Sequence, residues 1–271
     1  MESAEIVSTV NALRARVSDW RRERLRIALV PTMGALHAGH LSLVEAIRKR
    51  ADKVVVSIFV NPAQFALHED FDRYPRDLEA DVEKLGHGAD AVFVPSVREM
   101  YPEGFATRIE VGGPSAGLET EFRTHFFAGV ATVVAKLLIA AMPDVAIFGE
   151  KDYQQLLVIR RLVADLALPV EIVGAPTMRE ADGLAMSSRN AYLNPRERAI
   201  AGRLNVILRN AADEKKAASD LLAAGFDAVD YVAIRDAATL GPPGDGPKRI
   251  LAAVRIGGTR LIDNMEFLPS P

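Results

Sequence analysis

The chain has 271 residues, 49% of them hydrophobic and 25% charged, with 33 Lys+Arg against 36 Asp+Glu and a formal charge of −3. This composition excludes wholesale disorder, and near-neutrality speaks against a general nucleic-acid binder. The absence of cysteine excludes disulfides, thiolate zinc sites, iron–sulfur clusters and a cysteine nucleophile.

Met1 to Val17 mixes charged residues with apolar ones and lacks the apolar core of a signal peptide. No segment approaches the roughly 20 apolar residues that span a bilayer. The expectation is a cytoplasmic protein without a membrane partner. Ile6, Val10, Leu13 and Val17 recur at helical spacing and predict a first amphipathic helix. Arg26 to Val30, ended by Pro31, reads as a buried strand. A helix follows over Leu41 to Arg50, then a strand over Lys53 to Val60. Pro75 is placed to open a helix running to Leu85, because proline fits the first helical turn. Strand Ala89 to Val94, helix Gly129 to Ala141, strand Val145 to Phe148, helix Tyr153 to Leu166 and strand Val170 to Val173 continue the alternation.

Strands alternating with helices predict a Rossmann-like α/β fold, a parallel sheet covered by helices on both faces. Ligands then bind beyond the carboxyl ends of the strands. After Thr177 the texture changes. A polar loop from Arg179 to Asn194 leads to a helix over Pro195 to Asn210 and a second near Ala218. Strands over Tyr231 to Ile234, Ile250 to Ile256 and Thr259 to Ile262 close the chain, with the Gly/Pro-rich stretch Gly241 to Pro247 as a surface loop. The order is that of a smaller α+β unit, so the expected domains are 1–177 and 178–271.

Four segments carry chemistry. Pro31-Thr-Met-Gly-Ala-Leu-His-Ala-Gly-His40 lies between a strand and a helix. If the helix begins near Ala38, His37 and His40 stand at its N-terminus, where free N–H groups and the helix dipole favour a phosphate. Gly34 and Gly39 let a nucleotide approach the backbone. Phe148-Gly-Glu-Lys-Asp-Tyr-Gln-Gln155 also joins strand to helix; Lys151 suits a phosphate, and Asp152 suits a ribose hydroxyl or a helix cap. In Asp182-Gly-Leu-Ala-Met-Ser-Ser-Arg-Asn190, two hydroxyls and Arg189 can hold a triphosphate, with Gly183 as a hinge for a closing loop. Asn61 and Gln64, at the exit of the Lys53 to Val60 strand, suit a small hydroxylated or carboxylated substrate. Taken singly, each segment also fits a plain turn; three of them at one end of one sheet are harder to dismiss.

The HxGH and Met-Ser-Ser-Arg strings resemble the nucleotidylyl-transferase superfamily. Together with Val56-Ser-Ile-Phe-Val-Asn-Pro-Ala-Gln-Phe65 and Arg255-Ile-Gly-Gly-Thr-Arg-Leu-Ile-Asp-Asn264, they resemble the pantoate–β-alanine ligase family over nearly the whole chain. The resemblance implies adenylation of pantoate by ATP with Mg²⁺, then attack by β-alanine to give pantothenate and AMP, in a homodimer. It implies ATP contacts at Met33, Gly34, Ala35, Leu36, His37, Ala38, Gly39 and His40. Further ATP contacts are Gly149, Glu150, Lys151 and Asp152, then Met178, then Met186, Ser187, Ser188 and Arg189. His40 is the family's general acid, with His37 and Lys151 as further catalytic groups. Gln64 and Gln155 hold pantoate, joined by Asn61, and Gln64 also lies near β-alanine. The metal ligands are not implied. One string departs from the family's Arg-Pro-x-His-Phe-x-Gly-Val: here it is Arg123-Thr-His-Phe-Phe-Ala-Gly-Val130, with Phe126 where histidine is usual. No role is carried to that loop. Two other readings compete: a nucleotidyltransferase with a phosphate acceptor, which needs Arg or Lys where this chain has Asn61 and Gln64, and an ATP-binding module without catalysis.

Overall fold

The computed structural model describes residues 4–66 and 71–268. Its first half alternates strands and helices: β1 (Glu5–Val7), α1 (Val10–Arg22), β2 (Ile27–Thr32), α2 (Ala38–Arg48), β3 (Lys53–Ile58), α3 (Leu78–Leu85) and β4 (Ala91–Phe93). Two single-turn helices, α4 (Val97–Met100) and α5 (Glu119–Phe122), precede α6 (Phe126–Ala141), β5 (Val145–Gly149), α7 (Tyr153–Asp165) and β6 (Glu171–Ala175). The six strands form one sheet in the order β1-β4-β3-β2-β5-β6, parallel throughout. Successive units run from β2 toward β3 and β4 on one side, while β5 and β6 lie on the other. The order therefore reverses between β2 and β5, and a crevice opens there at the carboxyl ends.

The strands at the centre are apolar on both sides because both faces are covered. Leu29, Val55 and Phe93 pack with α1, α6 and α7, while Val30, Val54, Val56 and Ile147 pack with α2 and α3. Helix α6 buries 13 of its 16 residues, so it reads as hydrophobic all round.

Among the element boundaries that differ from expectation, three have a clear physical cause. Ile6 belongs to edge strand β1, paired with Val92, and the helix starts only after Thr9, whose hydroxyl caps Ala12 N. Asp77, accepting from Ala80 N, starts α3 three residues after Pro75; the cap rather than the proline sets the boundary. The expected helix over 195–210 is two, α8 (Pro195–Ala201) and α9 (Arg203–Arg209), broken at Gly202. A Cβ there would sit 2.3 Å from the Asp182 carboxylate.

Helix α10 (Glu214–Ala224) and the antiparallel strands β7 (Ala228–Asp236), β8 (Lys248–Ile256) and β9 (Thr259–Phe267) complete the C-terminal part. Its core joins α8, α9 and α10 to one face of the small sheet. The other face meets the large sheet's unit through Leu118, Leu157, Leu240 and Leu251. A buried ionic knot reinforces this contact. Arg260 donates to both oxygens of Glu119 (2.6 and 2.8 Å) and to Asp230 (2.6 Å), and Tyr231 donates to Glu119 at 2.8 Å.

Candidate active site

Beyond the ends of β2, β3 and β5 lies a cleft of about 640 Å³, within the usual range for small-molecule sites. Its floor is the turn between β2 and α2. Gly34 and Ala35 both have left-handed backbones, φ 82° and 50°, which glycine adopts freely and alanine only under local constraint. The constraint is Asp81 of α3, 1% exposed, whose carboxylate accepts from Ala35 N (2.8 Å) and Leu36 N (2.7 Å).

This turn delivers His37 to the N-cap of α2 and His40 to its first turn. Nδ1 of His37 accepts from Gly39 N at 3.1 Å, and Nδ1 of His40 accepts from His37 N at 3.4 Å. The rings lie 4.1 Å apart. Both Nδ1 atoms are thus acceptors, and each neutral ring carries its proton on Nε2. Burial, with Lys151 and Lys84 adding to it, lowers the His37 pKa to about 4. Burial, then His37 and Lys151, lowers that of His40 to about 3. At neutral pH the pair presents two uncharged Nε2–H donors.

Met33, His37, Gly39, His40, Gly149, Lys151, Asp152, Met178, Met186, Ser187, Ser188 and Arg189 all line the cleft, with Asn61, Gln64 and Gln155. Gly34, Ala35, Leu36, Ala38 and Glu150 are not on its wall. Leu36 is 3% exposed in the core beneath, and Glu150 turns toward Arg249, 3.5 Å away. The loop carrying Met186 folds over the histidine turn, with Met186 Cβ 3.6 Å from where a Cβ on Gly39 would stand.

Several residues have tasks other than those expected. Asn61 is 1% exposed and its amide is engaged internally. Its Oδ1 accepts from Ala63 N (3.2 Å) and Tyr101 OH (2.6 Å), and its Nδ2 donates to Gln64 Oε1 (3.0 Å) and Gly129 O (3.2 Å). Asn61 lines the cleft and also orients Gln64, whose Nε2 donates to Met33 Sδ at 3.1 Å. Gln154, next to Gln155, is likewise structural, tying α7 to the 114–119 segment. Asp152 stands at the N-cap position of α7 without capping it. Gly183 forms a tight turn: its φ of 92° closes the chain between Arg179 and Ala185, which pair across it.

At the far end the cleft wall includes Glu119, Phe122, Arg123, Phe126, Tyr231 and Arg260, none of them flagged by the sequence reading. They come from distant parts of the chain: Arg123 and Phe126 lie in the string that departs from the family and Arg260 in the Arg255 to Asn264 string, whereas Glu119, Phe122 and Tyr231 carry no motif. The Arg123 guanidinium stacks on the Phe126 ring at 3.8 Å. His125 is exposed and lines a separate groove, so it does not replace the family's histidine.

A Rossmann-like parallel sheet with a switch-point cleft and an HxGH turn defines a nucleotide-dependent α/β enzyme with a small C-terminal α+β unit. The sequence model of the Pantoate-beta-alanine ligase family matches residues 5–266, and the chain belongs to that family. A pantothenate synthetase of Mesorhizobium japonicum is 59% identical over 279 residues, covering 98% of this chain and 99% of its own. The crystal structure of pantothenate synthetase from Thermus thermophilus superposes with a TM-score of 0.89 at 48% identity, covering 97% and 99% of the two chains. A pantoate-beta-alanine ligase from Francisella tularensis, crystallised with beta-gamma ATP and beta-alanine, gives 0.87 at 34% identity over 98% and 100%.

Proposed function

We propose that the chain makes pantothenate from pantoate, β-alanine and ATP in two half-reactions sharing this cleft. In the first, a pantoate carboxylate oxygen attacks the α-phosphorus of ATP, the bond to the bridging oxygen breaks, and pyrophosphate leaves. In the second, the β-alanine nitrogen attacks the acyl carbon of pantoyl adenylate, loses a proton, and expels AMP. The observation that carries this reading is the meeting, in one cleft, of a histidine–lysine cluster with two glutamine amides. Charge accumulates on the phosphates, where His37, His40, Lys151, Ser187, Ser188 and Arg189 stand as preorganised donors. Gln64 and Gln155 would hold the carboxylate by neutral hydrogen bonds, leaving its nucleophilicity intact, with Gln64 also beside the incoming amine.

His40 enters this mechanism as a neutral donor. Its Nδ1 accepts from His37 N and burial lowers its pKa to about 3, so before ATP binds it offers Nε2–H as a hydrogen-bond donor to a phosphoryl oxygen. Among the described residues no group of three or more His, Asp or Glu side chains is arranged to hold a metal. An Mg²⁺ entering on the triphosphate needs only one or two protein carboxylates, and Asp152, on the cleft wall, would supply one. Residues 1–177 would bind nucleotide and pantoate, with residues 178–271 as a lid. The cytoplasmic setting and the homodimer follow the family resemblance, and light scattering tests the dimer. No helix among the described residues is long and apolar enough to cross a membrane.

Labelled pyrophosphate should exchange into ATP when pantoate and Mg²⁺ are present and β-alanine is absent. A phosphate-acceptor nucleotidyltransferase would not require pantoate, and a binding module would show no exchange. Loss of pantoate dependence in folded, ATP-binding protein would reject the adenylate route.

A further inference from the structure

Asn264 lies on β9, in the C-terminal sheet, and is 3% exposed. Its Nδ2 donates to the carbonyls of Glu150 (3.0 Å) and Lys151 (2.8 Å), which uses both of its hydrogens. Its Oδ1 accepts from Arg249 Nε at 2.5 Å. A guanidinium can only donate, so the amide has one orientation, nitrogen toward the two carbonyls. Arg249 is held in turn, its guanidinium stacked 3.8 Å over the Tyr153 ring. The two carbonyls belong to the single turn Glu150–Asp152 that carries Lys151 between β5 and α7.

The adjacent Asp263 performs the matching task on the second nucleotide segment. Its carboxylate, 1% exposed, receives two bonds from Arg179 at 2.7 and 2.9 Å. Arg179 begins the turn that returns to Met186 through Arg189. Two consecutive residues of one strand therefore grip two of the three phosphate-facing segments, although those segments leave different elements of the chain.

We propose that Asn264 is a positioning residue that sets Lys151 against the histidine pair, making the C-terminal sheet part of the phosphate grip. The proposal rests on the role given above to Lys151. The test is a double-mutant cycle in pantoate-dependent pyrophosphate exchange with Asn264→Ala, Lys151→Ala and the double variant. Asn264→Ala should lower kcat/KM for ATP by roughly 10- to 100-fold, the scale of a misplaced catalytic group, while the KM for pantoate stays within about twofold. In the Lys151→Ala background the same change should cost less than about twofold more, because residues acting as a unit are not additive. A purely structural role would predict additive losses and a parallel rise in both KM values, and either result overturns the proposal. If Lys151→Ala alone is as active as the parent, the phosphate role of Lys151 fails first and this inference falls with it. Should Asn264→Ala not fold, Asn264→Ser, which retains a single donor, carries the same cycle with a smaller expected loss.

Discussion

Gly129→Ala should uncouple helix propensity from stability and reach the pantoate pocket through the backbone. Gly129 lies in the first turn of α6, where alanine is ordinarily favoured over glycine by up to about 1 kcal/mol. Here an added Cβ would stand 2.3 Å from Ala63 O, 2.5 Å from Ala63 C and 2.8 Å from Gln64 Cα. All three are backbone atoms, so no side chain can swing aside. Relief requires α6 and the Pro62–Gln64 turn to part by roughly 1 Å to reach an ordinary carbon contact. Overpacking of this kind costs about 1–3 kcal/mol, which offsets the propensity gain and leaves a net loss of up to about 2 kcal/mol. The same movement stretches the 3.2 Å bond from Asn61 Nδ2 to Gly129 O and displaces Gln64. A 1 Å misplacement can cost about 10²-fold, expected here in kcat/KM for pantoate with ATP binding little changed. Urea unfolding gives the first quantity and pyrophosphate exchange at varied pantoate gives the second. A variant stabilised by about 1 kcal/mol with an unaltered pantoate KM would refute the close-approach argument.

Two further outcomes follow from the site. With His37 and His40 titrating at about 4 and about 3, the unfolded chain binds protons below pH 6.5 that the folded chain does not. Stability should therefore fall as pH drops from 6.5 toward 4, at most about 1.4 kcal/mol per pH unit for each ring. ¹⁵N NMR of the histidines should show both rings neutral with the proton on Nε2 at pH 7, and a titration of either ring near pH 6.5 would contradict this. Replacing Ser187 and Ser188 together by Ala should weaken ATP use while leaving supplied pantoyl adenylate able to react with β-alanine, since the second half-reaction contains no triphosphate. Ser188 Oγ also meets Tyr74 OH at 3.2 Å, so modest loosening of the 71–76 segment is expected alongside. Equal damage to both half-reactions would remove the hydroxyls from the phosphate site.

Much of this protein was legible in its sequence because the signals were local. The short apolar runs read as strands at Arg26 to Val30 and Lys53 to Val60 match β2 and β3, although β2 continues through Pro31 to Thr32, and their alternation with helices implies the parallel sheet and its working end. The HxGH turn was legible for the same reason: a strand exit, two histidines and a glycine within ten residues. What tertiary structure alone decided are choices made by partners far away in the chain. That Asn61 also holds Gln64 in place is decided by Tyr101 and Gly129, 40 and 68 residues on, which take up the rest of its amide. That Gly183 closes a tight turn is decided by the Arg179 and Ala185 pairing. The tautomer of the histidine pair depends on side-chain to backbone bonds within a turn whose left-handed residues are held by Asp81, about 45 residues away. Hydrogen-bond capacity is finite, and which group uses it is settled by packing between segments, a quantity that no periodicity in the chain encodes.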